Sequence, residues 1–171
     1  MLITILSTLS LISNLFGVLF ILYSKHKNKE TNLESELLFY IYICCVFDSL
    51  SHITDFSFNQ TLCHSQAFLM IWSRFSLLSF ITLISIHVYY SIKSDYSNIP
   101  TTRTCLYRSI YLTIGFVPSL VLATFGKHLK LFGPTTYWCW VEKYNLYRYI
   151  LHFTTGILIA INMIFAIFTR R

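Results

Sequence analysis

Residues 75–92, FSLLSFITLISIHVYYSI, are eighteen consecutive positions without a charged side chain. As α-helix such a run covers about 27 Å, close to the hydrocarbon thickness of a bilayer. Residues 1–24, 109–126 and 149–169 repeat the property. Several runs of this length within 171 residues exclude a soluble enzyme. Composition agrees: 12% of residues are charged, roughly half the share of a soluble domain, and the mean hydropathy is +0.60. A transmembrane β-barrel needs alternation with period two, which residues 76–86 lack. Five glycines, three prolines and no internal repeat exclude fibrous and disordered classes.

The sequence therefore predicts an all-α, polytopic transmembrane helix bundle, a single domain over residues 1–171. Its spans fall at about 2–23, 35–55, 64–92, 106–126 and 146–168. The first run has neither a basic start nor a small-residue cleavage site, so it reads as a span rather than a signal peptide. Only Asp48 interrupts the second, with apolar residues on both sides. Pro134 after Gly133 marks a turn before the fifth span, and Pro100 breaks any helix in the loop before the fourth.

Basic residues in short loops set the direction. With the N-terminus outside, the cytoplasmic side collects Lys25, Lys27, Lys29, Lys93, Arg103, Arg108, Arg170 and Arg171, against Lys127, Lys130, Lys143 and Arg148 outside. Eight against four predicts an outer N-terminus, a cytoplasmic C-terminus and a multi-pass protein of the plasma membrane. The net charge of +6 follows this rule, and no nucleic-acid partner is expected.

Few residues inside the spans can carry chemistry. Cys63 opens the third span and Cys139 sits in the second outer loop, so both face an oxidising compartment, where disulfides persist. Cys44 and Cys45 read as small core residues. Asp48 lies about 10 Å and Arg74 about 15 Å below the outer surface, on neighbouring antiparallel spans. Charges at that depth face the bundle interior and find partners. The two therefore form either a polar pocket or switch, or a structural ion pair. His52, His64, His128 and His152 fall near the outer side without metal-ligand spacing, so no metal and no cofactor are expected. Asn59-Gln60-Thr61 is a glycosylation sequon, but it lies close to the membrane. No nucleophile triad, phosphate loop or paired carboxylates appear, and no enzymatic activity is expected.

From Cys63 to Arg171 the chain resembles the cyclic-AMP-receptor-like (class E) G-protein-coupled receptors. The carrying residues are Cys63-His64-Ser65-Gln66-Ala67, Gly115-Phe116-Val117-Pro118, Trp138-Cys139-Trp140-Val141 and Tyr147-Arg148-Tyr149, with Phe47-Asp48-Ser49-Leu50-Ser51 like the acidic motif of that family's second span. The resemblance implies a Cys63–Cys139 disulfide and a ligand cavity near Asp48, His52, Arg74 and His152. It also implies a G-protein face with Lys93, Arg103, Arg108, Arg170 and Arg171. The third span ends Ile86-His87-Val88-Tyr89-Tyr90, without Asp-Arg-Tyr, so the rhodopsin-like class does not fit. The chain stops at Thr169-Arg170-Arg171, so the resemblance implies a receptor truncated after its fifth span. Such a product is not expected to couple alone, but either to pair with a related receptor or to be retained and degraded.

The leading expectation is thus a receptor-like membrane protein that senses an extracellular ligand and signals to a heterotrimeric G protein. The alternative is a small transporter or channel subunit, with Asp48 and Arg74 on a solute path. Transporters often carry internal repeats and paired broken helices, and here only Pro118 lies inside a span.

Overall fold

The computed structural model describes residues 2–28, 33–53, 59–93, 101–134, 138–141 and 146–169. Among these residues five helices run α1 Leu2–Asn28, α2 Leu33–Ile53, α3 Gln60–Lys93, α4 Thr101–His128 and α5 Leu146–Thr169, each long and apolar enough to cross a membrane. The chain is an all-α, multi-pass membrane bundle. The helices outrun the apolar stretches that announce them. α1 continues over Lys25 and Lys27, and α4 begins at Thr101, immediately after Pro100. Polar residues at the membrane surface extend a helix as readily as apolar ones; only the hydrocarbon demands the latter.

Local signals set the ends. Basic residues in the last turns of α1 and α4, and Glu34 and Glu36 in the first turn of α2, complement the helix dipoles. Asn59 caps α3: its Oδ1 accepts from the backbone N–H of Thr61 (3.0 Å) and Leu62 (3.3 Å). The sequon asparagine is therefore engaged in the first turn of a span. α4 stops in a Schellman motif. Lys130 adopts a left-handed φ of 55°, Leu131 N–H donates to Gly126 C=O and Lys130 N–H to Lys127 C=O.

α3 is the axis of the bundle. Half of its most apolar window is buried, against 6% for α1 and for α5. It packs against α2, α4 and α5, while α1 lies on α2. Close approach has specific causes. A Cβ on Gly115 would run into the Phe80 ring, and one on Gly17 would stand 2.5 Å from the Tyr42 ring. Lipid supplies no hydrophobic drive between helices, so polar clasps add to this packing. Ser76 Oγ meets Ser119 Oγ at 2.6 Å, joining α3 to α4. Asn162 of α5 donates to Thr82 Oγ1 (2.8 Å) and accepts from Ser85 Oγ (3.0 Å), joining α5 to α3.

The connection between α4 and α5 is not the plain loop the sequence suggests. Phe132–Pro134 (β1) and Cys139–Val141 (β2) pair antiparallel, with Phe132 opposite Val141, Gly133 opposite Trp140 and Pro134 opposite Cys139. Phe132, Cys139 and Val141 are buried with Cys63, Ala67, Ile71, Ala123 and Tyr147, so the hairpin plugs one end of the bundle.

Candidate functional site

The hairpin is fixed to α3 twice. Cys63 and Cys139 form a disulfide, the pairing the resemblance implied. Beside it, buried Gln66 Oε1 accepts from the Cys139 backbone N–H at 3.1 Å, while its Nε2 donates to Ser51 C=O at 2.6 Å. Ser51 lies in the last turn of α2, where carbonyls have no partner within the helix. One amide thus satisfies the end of α2 and orients the hairpin above it.

Under the hairpin lies the charged pair. Arg74 Nε donates to Asp48 Oδ1 at 2.9 Å. Arg74 Nη2 also meets His52 Nε2 at 2.5 Å. A guanidinium only donates, so the imidazole accepts through Nε2 and carries its proton on Nδ1. The Arg74 guanidinium carbon lies 5.5 Å from the centre of the Trp140 ring, a cation–π contact. Trp138 meets His52 edge-on, with centroids 5.5 Å apart. The hairpin's two tryptophans therefore bracket the network.

The network opens into a cleft of about 340 Å³ lined by Ile3, Leu6, Ser7, Ser10, Asp48, Ser49, His52 and Trp138. Ser10 Oγ and Ser49 Oγ meet at 3.0 Å across its floor, joining α1 to α2. Asp48 is 27% exposed at its side chain, so a carboxylate, an imidazole and hydroxyls face open space beside apolar walls. This arrangement can hold a small polar molecule.

Of the four residues expected around a cavity, Asp48, His52 and Arg74 meet. His152 does not join them. It stands exposed on α5, and no hydrogen bond, ion pair or ring contact links it to the other three. Its depth suits the site, but α5 packs on α3 through Tyr147 and Leu151 and turns His152 away.

At the opposite end, Arg108 is less available than expected. Its guanidinium grips Glu36 with both Nε and Nη2, and Lys25 Nζ reaches the same carboxylate at 3.4 Å. Glu36 is buried, so α1, α2 and α4 converge on it. Lys93 is exposed and leans on Tyr89, whose hydroxyl lies 3.3 Å from Nζ. The Arg103 side chain, Arg170 and Arg171 lie outside the described residues.

Sequence reasoning missed Glu36 and Gln66. For Glu36 a signal existed in Arg108, a base opposite it at the same membrane level. No protein-family model matches the chain, and no curated protein matches it.

Proposed function

We propose that this chain is a receptor-like integral membrane protein, corresponding to the first five helices of a G-protein-coupled receptor that senses an extracellular ligand. Its output is a heterotrimeric G protein, and a related receptor is its dimer partner. One observation carries the reading. A hairpin tied by disulfide to the head of α3 lies over a polar cleft in which Asp48 and His52 face open space. In this reading the N-terminus is outside, the ligand enters at the disulfide end and the C-terminus is cytoplasmic at the plasma membrane. Lys93, with Arg103, Arg170 and Arg171, forms the G-protein face. Arg108 contributes less, because Glu36 holds it.

Affinity-tagged chain, purified from native membranes, is expected to bring down a related receptor and, with it, a heterotrimeric G protein. Lys93→Glu should reduce that capture several-fold, and Asp48→Asn should leave it intact. Solute uptake into vesicles holding the chain alone, lost with Asp48→Asn and without any G-protein capture, would replace this reading with the transporter or channel-subunit one.

A further inference from the structure

A second opening, of about 880 Å³, lies at the disulfide end between the head of α3 and the last turn of α4. It is separate from the Asp48 cleft. Its rim carries Lys127, His128 and Lys130 from α4 and the turn that follows, with His64 of α3 facing them. Its lower wall is apolar: Val121 and Phe125 are 59% and 53% exposed, one helical turn apart on the same stripe. The groove thus passes from a cationic rim at the membrane surface to a hydrocarbon-facing wall.

Among the described residues, the rim's charge is unspent. The acids among the described residues, Glu34, Glu36 and Asp48, all lie on α2, and Glu36 and Asp48 are already paired with Arg108 and Arg74. Among the described residues, Lys127, Lys130, His64 and His128 have no ion-pair partner. Lys127 is held toward α3, its Nζ 5.6 Å from the centre of the Phe68 ring. Both helix ends at the rim are capped, the Phe125, Gly126 and Lys127 carbonyls of α4 by the closing turn and the Thr61 and Leu62 N–H groups of α3 by Asn59, so the charge of the rim is that of its side chains.

We propose that this groove binds an anionic phospholipid of the adjoining leaflet. The headgroup phosphate sits against Lys127 and Lys130, within reach of the His64 and His128 rings, and one acyl chain lies along Val121 and Phe125. Depth selects a lipid over a soluble anion. Lys127 closes a membrane span, the level at which phosphates sit, and the wall beneath it is Val121 and Phe125 with Thr124, whose hydroxyl is turned back onto the Leu120 and Val121 carbonyls.

The test uses full-length chain in vesicles of equal phosphatidylcholine and phosphatidylglycerol, gently extracted, with retained lipid weighed by native mass spectrometry. One phosphatidylglycerol per chain should be retained with roughly tenfold preference, since each base near a membrane surface contributes to anionic lipid binding. Lys127→Gln with Lys130→Gln should reduce the preference to within about twofold, while Lys127→Arg with Lys130→Arg should keep it. Non-reducing mapping of the Cys63–Cys139 bridge reports that each variant is folded. An unchanged preference in the double Gln variant, or an equal loss with Lys93→Gln at the opposite end, would overturn the proposal. Displacement of the lipid by millimolar inorganic phosphate would also overturn it, in favour of a soluble-anion site.

Discussion

Two carboxylates inside the bundle have met opposite fates. Glu36 is 8% exposed at its side chain and engaged by Arg108 and Lys25, and the cavity beside it holds only about 70 Å³. Asp48 is 27% exposed, shares one arginine with a histidine, and fronts a cleft of about 340 Å³. Both are acids in apolar helices, and both bind guanidinium. What differs is saturation. Three helices close on Glu36 and use its capacity to hold themselves together. Asp48 has a partner on one side and open space on the other, which is what a binding site requires and a structural staple does not. α1 passes both, giving Lys25 to the first and Ser10 to the cleft wall of the second.

The largest effect should come from the saturated end. Arg108→Ala leaves a buried carboxylate with only Lys25, and removing one partner of a buried pair costs about 3 kcal/mol. Glu36→Gln should cost less, because the two bases left behind are 44% and 45% exposed and can turn to water. Thermal unfolding in lipid nanodiscs measures both. Equal losses for the two variants would break the contrast, placing Glu36 in an environment as open as that of Asp48.

The contrast was only half visible in the sequence. Asp48 and Arg74 stand out because each is a lone charge deep in an apolar run, and expense alone predicts that such groups meet. Glu36 sits beside Glu34 and Ser35 at a span's end, where charge costs little. Its burial comes from the way α1 and α4 cross over it, which no linear pattern encodes. Gln66 is uncharged and appeared only within a resemblance motif; its role depends on a hairpin whose strands are three residues each, too short for alternation to register. His152 failed for a related reason. Depth follows from position along a helix, but facing follows from which neighbour the helix meets.

A smaller and more local loss is expected at Gln66. Gln66→Leu keeps the volume but strands the Ser51 carbonyl and the Cys139 N–H, two buried groups whose partners are the Gln66 amide. Leaving such groups unsatisfied costs about 2 kcal/mol here. The damage should be confined to the open end. Hydrogen exchange should quicken at Trp140 and Val141 and around Ser51, and remain unchanged around Glu36. Quickening at both ends together would mean that the two clusters are coupled through α2, and that the contrast describes one device.

The smallest effect concerns the open pair itself, and it needs a cycle rather than a single variant. Asp48→Asn keeps an acceptor for Arg74 Nε, so hydrogen bonding survives and only the charge is lost. Arg74→Gln removes more: the bond to Asp48, the contact with His52 and the stacking on Trp140. The single losses will therefore differ, and their difference says nothing about the pair. What does is the shortfall of the double variant from their sum. With Arg74 41% and Asp48 27% exposed, the pair is partly screened by whatever fills the cleft, so the coupling should be about 1 kcal/mol. The same cycle on Glu36 and Arg108 should give a larger value. If the Asp48 coupling equals or exceeds it, Asp48 is as saturated as Glu36, and the cleft beside it loses the partly exposed carboxylate on which its role as a site depends.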